Sequence, residues 1–314
     1  MFRLDWRAYG NLATLRSEAP VALSLGNFDG VHLGHRHLLA SLKALAAGRP
    51  TVVMTFFPHP TKLFVPGMKS ALLCSLDERV QQILDFGIDT VLVQNFSMEF
   101  SQLGAREFCT DVLCRNLTLS KVLLGFDFRF GKDRKGDFDV MKAIGRAQGF
   151  EVFREEAFER NGCVVSSSEI RRLISNGEME TAEIYLTRPF SLAGVVIKGD
   201  QRGRLLGYPT VNLGHYDLDM ILPLSGVYAG YVAFDDGSMP LPAVMSFGVR
   251  PTFGANLEYR AEAHIFNFSA DVYGKAVRFI VKHRLRGEER FSDVRDLKAQ
   301  MARDSQLALS LLEK

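Results

Sequence analysis

The chain has 314 residues, 47% hydrophobic and 24% charged, and its 38 lysines and arginines against 36 aspartates and glutamates leave a net charge of +2. That composition excludes disordered and fibrous classes, and the charge balance gives no ground for a nucleic-acid or membrane partner. At roughly 100–200 residues per domain, the length predicts about two domains. No run approaches the ~20 consecutive apolar residues of a membrane span, and the charged start Met1-Phe-Arg-Leu-Asp5 lacks an apolar signal segment. Cys74, Cys109, Cys114 and Cys163 form no CxxC pair and show no zinc spacing, so they are expected as buried thiols of a reducing, cytoplasmic compartment. Of seven histidines, three (His32, His35 and His37) crowd into one short stretch that composition does not explain.

In chain order, Val21–Leu25 is a short apolar run, followed by a helical pattern over Gly34–Ala47. A second strand is predicted at Thr51–Phe56, a helix at Leu76–Phe86 closed by Gly87, and a third strand at Thr90–Val93. A helix over Leu103–Leu117, a strand at Lys121–Leu124, a helix at Met141–Gln148 and a strand at Glu151–Phe153 follow. This alternation predicts an α/β domain with a parallel sheet. Helices at Ser168–Asn176 and Met179–Tyr185 precede a change of pattern near Phe190. Short β-rich runs then occur at Leu192–Lys198, Gly226–Phe234, Ala243–Phe247, Tyr259–Phe268 and Val277–Arg284, and a helical period spans Phe291–Leu312. Short strands with turn punctuation predict a sandwich or barrel, here ending in a helix. The predicted division is 1–187 and 188–314.

The segment Gly26-Asn-Phe-Asp-Gly-Val-His-Leu-Gly-His35 joins the first strand to the first helix. Glycines at such a turn let backbone approach a phosphate, and a helix start offers free N–H groups and a positive dipole end. His32 and His35 are three apart, so both project from one face of the first turn, where they suit phosphate charge. Ser166–Ser168 cap a later helix, with Arg171 one turn in, which also suits an anion. Asp127 and Arg129 alternate along Phe126–Phe130, so a strand there puts both on one face. His59 lies between two prolines, and His37 reads as a surface helix residue.

Downstream, Gly194–Asn212 is dense in glycine and is not a Walker motif. Its main-chain N–H groups suit phosphates. Thr210 and Asn212 alternate, so a hydroxyl and an amide oxygen face one way as hard donors for Mg²⁺. Glu262 and His264 likewise share a face.

These motifs resemble a known family. Gly26–His35 resembles the phosphate motif of the nucleotidylyltransferase superfamily, and the Asn27-Phe-Asp-Gly variant resembles the FAD synthetase module of bacterial bifunctional riboflavin kinase/FAD synthetases. Thr55-Phe-Phe-Pro-His-Pro60, Gly125-Phe-Asp-Phe-Arg-Phe-Gly131 and Ser166-Ser-Ser-Glu-Ile-Arg171 resemble further motifs of that module. Gly207-Tyr-Pro-Thr-Val-Asn212 resembles the flavokinase motif, with Val211 where alanine is usual. Pro223-Leu-Ser-Gly-Val-Tyr-Ala229, Arg250-Pro-Thr-Phe253, Glu262-Ala-His-Ile-Phe266 and the segment Arg286–Phe291 extend the likeness. Thr187, Ser246 and Asn267 stand where the family usually has Gly, Asn and Asp.

The resemblance implies a Rossmann-like adenylyltransferase domain before a flavokinase-type antiparallel β-barrel. It implies riboflavin, FMN and ATP as substrates, FAD as product and Mg²⁺ as cofactor. Glu262 becomes the base of phosphoryl transfer, and His32, His35 and Arg171 stabilise charge in AMP transfer. Gly26, Asn27, Phe28, Gly34, Ser166, Ser167, Ser168, Gly199, Gly207, Pro209, Thr210 and Asn212 become nucleotide-binding residues, the last pair of oxygens also metal ligands. Asp29, His59, Asp127, Arg129, Arg286 and Glu289 become flavin-binding residues, and His264 a structural support. Three alternatives stay open: one active module only, a flavin-binding regulator, or an adenylyltransferase for another phosphorylated acceptor. The sequence carries no mark of a particular oligomeric state.

Overall fold

Mostly apolar runs such as Val21–Leu25 become strands covered on both faces, which is why they show little polar alternation and even Ser24 is buried. The computed structural model describes residues 9–10, 17–64, 70–200, 203, 206–251 and 257–313. Gln201, Arg202, Arg204 and Leu205 of the glycine-rich loop, and Thr252 and Phe253 of the Arg-Pro-Thr-Phe stretch, lie outside the described residues, as does the charged start.

The chain divides by its contacts into two units, one ending at Ser167 and one beginning at Ser168. The first holds strands β1 (Tyr9–Gly10), β2 (Ser17–Leu25), β3 (Thr51–Phe57), β4 (Thr90–Asn95), β5 (Leu117–Leu124) and β6 (Glu151–Arg154). They form one sheet in the order β1-β4-β3-β2-β5-β6, with every neighbouring pair parallel. Its helices are α1 (Leu33–Ala46), α2 (Pro60–Phe64), α3 (Leu76–Asp85), α4 (Met98–Ser101), α5 (Ala105–Glu107) and α6 (Phe138–Gln148), and β7 (Glu159–Arg160) with β8 (Cys163–Val164) makes a small hairpin. One core unites Leu38, Leu39 and Leu42 of α1 and Val80 and Ile83 of α3 with Ala22, Val53 and Val91. The other unites Phe108, Leu113, Met141 and Ile144 with Leu23, Leu25, Met54 and Leu124. Alternate residues of the same strands thus feed two cores. A capping box starts α3: Ser75 Oγ accepts from Glu78 N, and Glu78 Oε2 accepts from Ser75 N.

The second unit carries α7 (Ser167–Asn176), which spans the division, and α8 (Met179–Leu186). Strands β9 (Phe190–Ile197), β10 (Val211–Gly214), β11 (Gly226–Phe234), β12 (Leu241–Pro251), β13 (Leu257–Ile265) and β14 (Ala276–Arg286) close into a barrel in the order β10-β13-β12-β11-β14-β9, antiparallel throughout. Ala261, Ala263 and Ile265, with Val277, Phe279 and Val281, fill the interior at every second position. Helix α9 (Val294–Leu312) is capped by Asp293, whose carboxylate accepts from Arg295 N at 2.7 Å. Near its middle, Asp304 accepts from Arg286 Nε and Nη2 at 3.1 and 2.8 Å, which ties α9 to the end of β14.

Several expectations are corrected. Phe126–Phe130 is not a strand: Phe128 N bonds back to Gly125 O at 3.2 Å, closing a turn, and Arg129 pairs with Asp137 at 2.9 Å. The helix expected over Leu103–Leu117 is a turn of α5 followed by a π-helix, Phe108–Cys114, and it ends early because Leu117 already belongs to β5. Cys74 and Cys109 are buried and burial pushes the Cys109 thiol up to about 12, but Cys163 is exposed in the β7–β8 hairpin. Thr187, at the C-cap of α8, has φ of 63°, a left-handed conformation that favours glycine, which is the residue usual in the resembled family.

Candidate active sites

The sheet order reverses direction at β2, because β3 and β4 lie to one side and β5 and β6 to the other. Ligands of open α/β sheets bind outside the carboxyl ends of the strands at such a switch point. Gly26–His35 leaves the end of β2, and Gly125–Gly131 leaves the end of β5.

The first of these loops is held tightly. Phe28 and Val31 have φ of 49° and 41°, and Gly30 takes φ of 83° without a Cβ penalty. Left-handed backbone at Phe28 and at β-branched Val31 costs of order 1–3 kcal/mol each, and persists only where the surroundings over-determine it. His32 caps α1, its Nδ1 accepting from His35 N at 3.3 Å. The two imidazoles stack with centroids 3.7 Å apart, and both stand over the helix start as the spacing predicts. Gly34 is tight: a Cβ there would lie 2.9 Å from Val165 O, so α1 begins against the chain that leads into Ser166. At Gly26, a Cβ would meet the Phe28 ring at 3.0 Å.

Asn27 Nδ2 and His59 Nε2 are 3.3 Å apart, and Thr61 N donates to His59 Nδ1, so the two motifs meet through their side chains. Ser167 Oγ donates to Asp29 O at 3.0 Å. The Asp29 carboxylate points inward, 1% exposed, and accepts from Leu73 N at 3.0 and 3.2 Å. Asp127 and Arg129 sit exposed in the turn after β5. His37 is exposed and contacts Glu155 at 2.8 Å. Ser168 and Arg171 belong by contact to the second unit.

In the barrel, Asn212, Glu262 and Ser246 are register partners in a row across β10, β13 and β12. Directly opposed residues share a face, and their neighbours Ala261 and Ala263 point inward, so this row faces outward. Thr210 Oγ1 donates to Glu262 Oε2 at 3.2 Å. A Cβ on Gly199 would fall 2.4 Å from Asn212 Nδ2, so the glycine makes room for that amide. His264 Nδ1 lies 2.9 Å from Pro209 O and steadies the chain entering Thr210. Tyr259 OH donates to Pro223 O at 2.8 Å, and burial pushes this phenol up. Gly207 has φ of 87°, Arg286 is engaged by Asp304, and Glu289 is exposed.

Three residues beside these sites have no site role in the sequence reading. Cys74 Sγ accepts from Gly30 N at 3.2 Å, Ser246 flanks Glu262, and Arg79 lies beneath the first loop at 1% exposure. Arg79 did leave a signal: it shares the apolar stripe of Leu76, Val80 and Ile83 on α3, an unusual place for a cation.

Residues 15–169 match the family model described as FAD synthetase, and residues 186–312 match the one described as riboflavin kinase. The bifunctional riboflavin kinase/FMN adenylyltransferase of Escherichia coli (strain K12) is 36% identical over 95% of this chain and 94% of its own length. The protein of the same description from Pseudomonas fluorescens is 36% identical over 92% of each. A crystal structure described as a macrolide-efflux protein from Streptococcus pneumoniae aligns with a TM-score of 0.87 and 29% identity, over 96% of this chain and 98% of the other. No helix among the described residues is long and apolar enough to cross a membrane.

Proposed function

The chain belongs to the bifunctional riboflavin kinase/FMN adenylyltransferase family, and from that premise we propose which residues carry each of its two reactions. Residues 188–314 form the kinase domain and residues 1–187 the adenylyltransferase domain. The observation that carries the kinase assignment is the Thr210–Glu262 contact beside Asn212 on one outer face of the barrel.

In the kinase reaction, the riboflavin 5′-hydroxyl attacks the γ-phosphorus of ATP, Glu262 accepts the hydroxyl proton, and the bond from the γ-phosphorus to the bridging oxygen breaks as ADP leaves. Thr210 and Asn212 offer oxygen donors of the hard kind that Mg²⁺ takes, so the donor set fits that ion together with ATP phosphates. When bound, Mg²⁺ supplies neutralisation of phosphate charge. The backbone around Gly199, Gly207 and Pro209 receives the nucleotide. Arg286, oriented by Asp304, and Glu289 border the flavin.

In the adenylyl transfer, an FMN phosphate oxygen attacks the α-phosphorus of a second ATP. The bond to the β-phosphate oxygen breaks and pyrophosphate leaves. His32 and His35, standing over the positive end of α1, stabilise the charge that grows on the α-phosphate. The main-chain N–H groups of the Gly26–Gly34 loop and of Ser166–Ser168 bind phosphate oxygens. Arg171 is assigned to the same reaction by resemblance. Asp29 serves from below by holding the loop, while His59, Asp127 and Arg129 border the flavin. The buried thiols of Cys74 and Cys109 and the demand for ATP support a cytoplasmic location.

The test is to incubate purified protein with riboflavin, ATP and Mg²⁺ and resolve the flavins chromatographically. FMN followed by FAD is expected. FMN alone would leave the first module inactive, and unchanged riboflavin would overturn the reading.

A further inference from the structure

Arg79 lies outside every motif named above, yet its side chain reaches the loop that carries His32 and His35. It is 1% exposed, on the buried side of α3. Its Nη1 donates to Thr55 Oγ1 at 3.2 Å and to Phe56 O at 3.3 Å. Thr55 Oγ1 in turn donates to Asn27 O at 2.9 Å. Its Nη2 lies 3.9 Å from Asp29 Oδ1, and that aspartate is also 1% exposed. One guanidinium therefore grips the loop on both sides of Phe28, through Thr55 before it and through Asp29 after it.

Phe28 is where the need is greatest. Its backbone is left-handed and its ring fully buried, and three residues later Val31 is left-handed too. Such a loop needs fixed neighbours to hold it. A buried arginine carries a large desolvation cost, and it is tolerated where fixed polar partners meet its fork. Here those partners are Thr55, Phe56 O and Asp29, two of them attached to the strained turn.

We propose that Arg79 is a positioning residue for adenylyl transfer, one that fixes the Asn27–His32 turn and thereby the His32–His35 pair at the start of α1. It touches no substrate. It acts through Thr55 and Asp29, and the proposal rests on the assignment of this loop to the FMN-to-FAD step.

The kinase module supplies an internal control in the same chain. Arg79→Met is expected to lower kcat for FMN-to-FAD conversion by about 10²-fold, the scale of a roughly 1 Å misplacement. KM for FMN and ATP should move by less than about threefold, because contacts to bound substrate are kept. Riboflavin phosphorylation should be unchanged. Arg79→Lys, which keeps the charge and part of the reach, should recover most of the lost kcat. Thr55→Val, which cuts one leg only, should fall between.

Thermal denaturation of each variant at the assay temperature separates positioning from folding. A wild-type kcat per folded Arg79→Met molecule overturns the proposal, as does a loss confined to KM. Equal losses in Arg79→Met and Arg79→Lys overturn it too. If the parent protein itself makes no FAD from FMN, the assignment of the loop fails rather than the role of Arg79 within it.

Discussion

Thr210 donates its hydroxyl hydrogen to Glu262 Oε2 at 3.2 Å, joining the loop before β10 to the middle of β13. The carboxylate is thus held beside Asn212 before any substrate arrives. Glu262→Gln keeps the size and a hydrogen-bond acceptor but cannot take a proton. FMN formation should fall by about 10²–10⁴-fold, the usual range for loss of a general base. FAD formation from added FMN should persist, and flavin chromatography with either substrate reads both. Loss of both activities in a folded variant would refute the division of labour.

His32 has two duties that one substitution can separate. It caps α1 through Nδ1 and presents an imidazole stacked on His35. Asparagine is also a good N-cap, so His32→Asn should leave the melting temperature within a degree or two while FAD formation falls about 10²–10³-fold. His32→Ala with His35→Ala should stop FAD formation, lose about 1 kcal/mol of capping and spare riboflavin phosphorylation. A His32→Asn variant that kept full FAD synthesis would confine His32 to the cap.

Gly199→Ala places a methyl group 2.4 Å from Asn212 Nδ2, closer than real contacts allow, so Asn212 must move. KM for ATP in the kinase reaction should rise roughly tenfold, equivalent to ~1.4 kcal/mol of binding. FMN-to-FAD conversion should stay at the parent rate. Initial-rate kinetics at varied ATP check both.

Asp89 joins the starts of β3 and β4. Thr51 N and Oγ1 donate to its Oδ2 at 2.8 and 2.7 Å, and these bonds hold its carboxyl below the ordinary value. A depressed pKa stabilises the fold above the unfolded value, near 4, and that stabilisation is lost as pH falls through the folded value. Asp89→Asn should therefore melt lower than the parent at pH 7, and the gap should narrow below about pH 4. Melting curves across pH 2–8 test it, and a gap independent of pH would exclude the linkage.

Where side-chain period alone decides an element, the sequence was readable. Gly226–Phe234 is predicted and observed with the same ends, and the shared face of Thr210 with Asn212 follows from alternation, whereas their meeting with Glu262 is a matter of strand register. The turn from β2 into α1 was readable because its glycines and histidines are local. What is not local was not readable. Phe126–Phe130 alternates like a strand, but its turn is set by Gly125 and by the pairing of Phe130 with Gly136. The place of Arg79 on the apolar stripe of α3 marks it as buried, but its partners on β3 and on the loop after β2 come only with the fold. Asp29, expected on the flavin by resemblance, faces Leu73 N and Arg79 instead of the open side of the loop.

The barrel closes because β10 pairs with both β9 and β13. Strands β11, β12 and β14 are each paired on both sides, which leaves little backbone template for a foreign strand along them. The sheet of the first unit does have a rim at β6, a short strand bounded by Glu151 and Arg154. Charged ends on a short edge discourage such addition.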